Sequence, residues 1–557
     1  MIEKISSVDE TSIINSKVNR QNKKGIQSPN FKGAGALVLA GIQKCEQIPM
    51  VNVAVIDMLS AILPRTIVES MTNWFAGFEA FRRESSGLIV NCMIPSVITL
   101  GIAKCLNPAF MPKGINMSGS WADSDLLTKA TDYYKNASST DKVEEAMRKM
   151  VGNLEGFETD KKVLFKDALG EEVVNNYAKK LAEISRANIS NSEMSKQIKT
   201  IAEEIVSKTH VSDNVKVENV KASTVKSMLN DTVKFYREFQ RTEGRIGIEE
   251  FAKKCRRMVR TKSLLGLAVV LPLAASMQYI NRWITGKVSG TKGAPIYDDF
   301  GKGDDNIEEN PKAKEGLLKQ KIISISSMIG VGLLSMMKMP TMKILEFKGI
   351  FPTMDQARVI STTTFASRMA AADDKNELAE STVRDIATFC GLYFFGDYAA
   401  KGMATLLQKK TGVTLLNDTK SIDKNSSMVK RFIHWVKDVN IKSSDEVLSK
   451  TEQALKGVKP TEEQAKKIAK EISHAKNLRA ACQGANIGVS LALLGLIIPI
   501  FTRRSTKKKH EKALKLAQEN NITQVDDNNK NDGITPLNVK YTNLTAGFRA
   551  DKKSQTA

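Results

Sequence analysis

The chain has 557 residues, with 83 Lys plus Arg against 61 Asp plus Glu, a formal charge of +22, and 42 % hydrophobic and 26 % charged residues. That mixture belongs to an ordered chain, and the length allows three or more folding units. With 34 Gly, 14 Pro and 6 Cys, collagen-like and disulfide-scaffold classes are excluded.

A pI near 9.5 raises the question of nucleic acid, which depends on where the positive charge lies. Residues 1–84 carry 10 basic and 8 acidic groups, and residues 114–262 carry 27 and 23. Residues 385–557 carry 29 and 17, and this excess flanks the most apolar run in the chain. A juxtamembrane origin explains it better than a nucleic-acid footprint, so nucleic acid is not an expected partner.

In chain order, residues 1–32 read as a disordered polar tail, and Glu3, Asp9 and Glu10 argue against a cleavable signal peptide there. Residues 33–113 form a hydrophobic N-terminal region with an expected span at 85–103, whose 19 residues carry no charge. Crossing a bilayer core takes about 20 mainly apolar residues. The stretch 47–64 is apolar apart from Asp57 and stays ambiguous.

Residues 114–262 are read as a soluble, charged, helical domain, because apolar residues recur at helical spacing in 141–151 and 172–186. Asp141 with Glu144 marks a helix start, and Gly152 and Gly170 mark stops. Residues 263–340 hold two further expected spans, 263–281 and 322–337, joined by a flexible acidic loop. Pro95 and Pro272 sit inside expected spans, where neighbouring helices can satisfy the carbonyls they free. Residues 341–407 form a helical region with a possible span at 386–406, and 408–479 a soluble helical segment with capping boxes at Ser443/Glu446 and Thr461/Gln464.

Residues 480–502 give the strongest signal, 23 uncharged positions containing ten Ile, Val, Leu and Phe residues. They are closed by Arg503, Arg504, Lys507, Lys508 and Lys509, a cluster expected to set topology. The remaining stretch, 503–557, is a basic juxtamembrane segment followed by a disordered tail.

Six cations precede the 263–281 run and three follow it, so the positive-inside rule places 114–262 in the cytoplasm. A C-terminus on the same side then requires one more crossing, for which 386–406 is the only candidate. In that segment Asp397 and Lys401 are four residues apart and face each other on a helix, as an intramembrane polar pair would.

Small residues four apart, Gly484, Gly488 and Ala492 in the last run and Ser326 with Gly330 in the fourth, are candidate helix-packing faces, within the chain or against a second copy. No phosphate loop, nucleophile elbow or HExxH motif is present. No cysteine pair has zinc-knuckle spacing, and His210, His434, His474 and His510 form no local ligand pair. No catalytic residue, cofactor or metal is therefore expected.

These observations predict an all-α protein with four to six transmembrane helices and a soluble helical domain inserted between the first and second main spans. The bilayer, a bacterial inner membrane, is its expected surrounding. The expected function is a structural or interaction scaffold, with a protein partner or self-association. The alternatives are a transporter or channel using Asp397 and Lys401, and a soluble helical protein that inserts hydrophobic hairpins into a target membrane. A further reading makes each apolar run a fully buried helix of a soluble bundle.

Overall fold

The architecture is that of a computed structural model, which describes residues 49–289, 311–336, 345–347, 352–446 and 461–501, with Arg504 and Lys508, apart from short internal breaks. The polar tails expected at 1–32 and 517–557, most of the loop expected at 282–321 and the stretch 447–460 lie outside the described residues. Two compact units are present, Met1–Ile500 and Phe501–Ala557. In the second, Phe501, Arg504 and Lys508 are the described residues, all exposed; Arg503, Lys507 and Lys509 are outside the description.

Among the described residues the protein is mostly helical, 81 % by residue. The first helical rod comprises α1 (Pro49–Asp57), a π-helical stretch Met58–Ile62 and α2 (Leu63–Ser70). The second comprises α3 (Trp74–Leu88), a π-helical stretch Ile89–Met93 and α4 (Ile94–Phe110). Then follow α5 (Ser124–Lys135), α6 (Lys142–Gly152), β1 (Leu154–Glu158), β2 (Lys161–Leu164), α7 (Phe165–Leu169), α8 (Glu171–Arg186) and α9 (Asn191–Thr209). After β3 (Lys216–Val217), β4 (Val220–Lys221) and α10 (Val225–Gln240) comes the 42-residue α11 (Ile248–Ser289). The remainder is α12 (Pro311–Met336), α13 (Met354–Ala370), α14 (Lys375–Cys390), a π-helical stretch Gly391–Phe395, α15 (Gly396–Thr411), β5 (Leu416–Asp418), α16 (Met428–Lys437), β6 (Val439–Ile441), α17 (Glu462–Ser490) and a final π-helical stretch Leu491–Ile497.

Residues 111–259 enclose one core, in which Met147, Phe165, Leu181, Ile198, Phe235, Tyr236 and Phe251 are buried. Asp141 caps α6 by accepting from the Glu144 amide at 3.1 Å, and Gly170 takes φ +81° where α7 ends and α8 begins. The expected all-α character needs one amendment here. β2, β1, β3 and β4 form a small antiparallel sheet in that order, with Leu154 opposite Val217 and Gly156 opposite Val163. Strands of two to five residues are too short to show an alternation in sequence.

Among the described residues five helices are long and apolar enough to cross a membrane: Met50–Ser70, Gly77–Phe110, Ile248–Val288, Gly316–Met336 and Glu462–Phe501. They contain the runs expected at 85–103 and 263–281, and most of 322–337 and 480–502. The ambiguous stretch 47–64 overlaps the first of them, and 386–406 is not among them.

Two polar layers bound these helices. At one end Lys262, fully buried, donates to the Ser120 carbonyl, and Glu346 accepts from the Ser124 amide and hydroxyl at 3.1 and 2.7 Å and pairs with Arg260 at 3.3 Å. These contacts seat the 111–259 domain on the bundle. At the other end Arg282 pairs with Asp373 at 2.8 Å and with Glu377, and Arg82 donates to Thr285 at 2.6 Å. Along α11 the twenty residues from Lys262 to Arg282 rise about 30 Å, the thickness of a bilayer core.

The domain carries an acid-sensitive pair. The Lys149 ammonium at 2.7 Å and the Ser139 amide at 2.6 Å hold the Glu145 carboxyl down at about 2, against an ordinary 4.5. A depressed carboxyl stabilises the fold above its ordinary value and stops doing so as pH falls through 4.5 towards 2. In detergent-solubilised full-length protein, Glu145→Gln should speed amide exchange in 142–152 at pH 7. The difference from the parent should shrink as the pH approaches 2.

Candidate functional site

At the layer remote from the domain, Glu84 on α3 is shared by three guanidiniums: Arg65 at 3.2 Å, Arg368 at 3.2 Å and Arg83 at 3.5 Å. Arg368 also meets Asp385 at 3.3 Å, and Asp385 meets Arg384 at 3.2 Å. Arg65 donates further to the Thr388 hydroxyl at 2.8 Å. Every side chain in this network is at most 10 % exposed. Buried charges are tolerated only when paired and hydrogen-bonded, and here four helical rods supply the partners.

α13 carries the polar interior between the two layers. It runs from Gln356, which donates to the Leu345 carbonyl at 2.8 Å on the domain side, to Arg368 in the remote network. It packs against α11, α12, α14, α1 and the 89–93 stretch. Its buried face includes Ser361, Thr364 and Ser367. Thr364 and Ser367 donate to the carbonyls of Ile360 and Thr364 on their own helix, which is how hydroxyls are satisfied without water. Ser361 meets the Tyr393 hydroxyl at 2.9 Å, and Thr364 donates to Asn91 at 3.1 Å.

Between α13 and the first two rods lies a cavity of about 30 Å³, lined among others by Asp57, Glu84, Asn91, Thr364, Arg368 and Tyr393. That volume holds one or two water molecules or a small cation. Asp57, half-buried, makes no hydrogen bond or ion pair among the described residues. Three π-helical stretches converge here: 58–62 begins beside Asp57, 89–93 supplies Asn91 and Cys92, and 391–395 supplies Leu392 and Tyr393.

The π-helical stretches have a legible cause. Pro64, Pro95 and Pro499 each stand two residues after such a stretch ends, at Ile62, Met93 and Ile497. A proline ring clashes with the carbonyl four residues earlier, and a widened turn relieves the clash.

The residues singled out in sequence are placed as follows. Asp397 and Lys401 lie on one helix but contact different partners: Asp397 accepts from Asn486 at 3.4 Å, and Lys401 donates to the Trp435 and Val436 carbonyls at 3.3 and 3.0 Å. Gly488 and Ser326 are exposed, and Gly484, Ala492 and Gly330 are half-buried; a Cβ on Gly330, Gly484 or Gly488 would meet nothing within 4 Å. The close approaches within the chain occur at other glycines. A Cβ on Gly495 would stand 2.9 Å from the Ser60 carbonyl, one on Gly391 would stand 2.5 Å from Leu494, and one on Gly332 would run into Thr362. Of the cysteines, Cys92, Cys255 and Cys482 are buried free thiols, Cys390 is half-buried and Cys105 is exposed.

Sequence reasoning missed the Glu84 network, since its members are up to 323 residues apart. It also missed His434, held at 2.9 Å from Asp418 and 3.5 Å from Asp438. Among the described residues no three His, Cys, Asp or Glu side chains converge as metal ligands would.

Glu84→Gln leaves three guanidiniums around a neutral amide and should destabilise the bundle by about 3–5 kcal/mol. Thermal unfolding in detergent measures this, and an unchanged melting temperature would show that the network is not a structural lock. No family model, curated protein or solved structure matches the chain, so the functional reading rests on its own geometry.

Proposed function

We propose that the chain is a multi-pass integral membrane protein that holds its 111–259 domain rigidly against the cytoplasmic face of the bilayer, as an interaction scaffold. One observation carries the membrane part. In the five apolar helices only 11 to 44 % of the most hydrophobic window is buried by the rest of the protein, whereas helices of a soluble core would be covered. Val97, Val269, Ile323, Leu334 and Ile497 are among the large apolar side chains left outward. With α13 polar inside and these faces apolar outside, the arrangement suits hydrocarbon as the surrounding solvent.

The scaffold part is supported by the seating of the domain. It is continuous with the bundle through α11 and fastened by Lys262 and Glu346, which hold it in place where a flexible tether would not. Lys253, Lys254, Arg256, Arg257 and Arg260 precede the apolar part of α11, which favours a cytoplasmic domain. The final rod packs its 491–497 stretch on 58–62 and α2, running away from the domain towards the remote layer.

After alkaline carbonate extraction the protein should stay in the membrane pellet and dissolve only with detergent. A cysteine placed at the exposed Lys199 should react with an impermeant maleimide only after the cells are opened. Release by carbonate would replace the membrane reading with a soluble one, and labelling in intact cells would reverse the orientation.

A transport reading is favoured by one feature, the Asp57 carboxyl facing the interior cavity, since an ionisable side chain at membrane depth marks ion and proton pathways. Proteoliposomes of the parent should then dissipate an imposed pH gradient faster than those of Asp57→Asn. Equal rates, at equal protein, would remove this reading.

A further inference from the structure

α16 is short, and its two faces differ sharply. Met428, Val429, Phe432 and Ile433 are 80, 67, 63 and 46 % exposed. At 100° per residue they fall on one arc of the helix. The opposite side carries His434, buried against Asp418 and Asp438. Lys430 and Lys437 border the apolar arc on one edge and Arg431 on the other, all three exposed. An apolar arc flanked by cations is the pattern of a helix lying in a membrane interface beside anionic headgroups.

The depth of this helix in the bundle agrees. It is pinned to α15 by Lys401, which donates to the Trp435 and Val436 carbonyls, and by the Trp435 indole, which donates to the Thr405 hydroxyl at 3.3 Å. From Asp385, in the remote charged layer, to Thr405 is twenty residues along one helical rod, about 30 Å. One bilayer core is about that thick, so α16 falls where the second interface must lie. Leu406 beside it is 66 % exposed, which continues the apolar surface of the bundle up to this level.

We propose that α16 lies in the plane of the membrane interface on the domain's side, with Met428, Val429, Phe432 and Ile433 in the acyl boundary and Lys430, Arg431 and Lys437 on anionic phospholipid headgroups. This rests on the membrane reading above. The charge complement selects anionic lipid over a second copy of the chain, whose matching arc would bring the same cations together.

The test uses full-length protein with its native cysteines replaced by serine and one nitroxide-labelled cysteine at a time, from Phe432→Cys, Val429→Cys, Lys430→Cys or Val97→Cys. Each is reconstituted into phosphatidylcholine vesicles with or without phosphatidylglycerol. The ratio of oxygen to nickel-chelate accessibility should be several-fold higher at 432 and 429 than at 430, and should rise at 432 when phosphatidylglycerol is present. Position 97, on the outward face of the second rod, reports whether the bundle is in lipid at all. Lipid exposure at 97 with water exposure at 432 and 429 overturns the interfacial helix alone, and water exposure at all of them overturns the membrane reading too. Labels at 432 and 429 shielded from both reagents mean that protein covers the arc, and a ratio indifferent to phosphatidylglycerol means that the cations do not select anionic lipid; either overturns the proposal.

Discussion

Glu84 is the point on which the bundle depends. A carboxylate taken out of water must be compensated, and here the compensation comes from Arg65 on the first rod, from its own neighbour Arg83 and from Arg368 on the interior helix. Asp385 then closes the chain of charges by holding Arg368 and Arg384. Because Arg65, Glu84, Arg368 and Asp385 stand on four different elements, the network fixes which rods are neighbours and at what height. Apolar helices in a bilayer gain little from one another by hydrophobic burial, so pairing of this kind supplies specificity that the apolar faces cannot.

The same logic explains why the interior helix is polar. In a soluble protein the hydroxyls of Ser361, Thr364 and Ser367 would face water; here they face inward, where their own helix and Tyr393 and Asn91 satisfy them. The outward positions of the apolar helices, such as Val97 and Leu334, are left uncovered. The arrangement is inverted relative to a soluble bundle, and the two ends are marked by charge.

What was legible in the sequence was local. Long uncharged runs, the Asp141 cap and the Gly170 stop each depend on a few adjacent residues, and the described structure shows them. The stretch 47–64 stayed ambiguous because Asp57 interrupts it, yet Asp57 faces the interior cavity rather than the apolar exterior. The interior helix 354–370 lies in the helical region expected at 341–407, but nothing in the sequence marks it as interior because it is neither long nor apolar. Within the single chain the close approaches fall at other glycines than the four-residue stripes suggest, as at Gly332 against Thr362 rather than at Gly330, because such a period finds a stripe but not its azimuth. Pro95, expected only as a tolerated break, also stands just after a widened turn, as do Pro64 and Pro499, which carry no such expectation.

α11 has a mechanical consequence. Its 42 residues run unbroken from the domain core, past Lys262, to the Arg282 ion pairs, a shaft about 63 Å long. Gly266, near the junction, is held close by Thr99, 2.7 Å from where a Cβ would stand, which braces the shaft between the domain and Pro272, where one helix hydrogen bond is missing. A force applied to the domain is therefore delivered as torque to the opposite surface of the bundle, and the Arg282 pairs with Asp373 and Glu377 are where that torque is resisted.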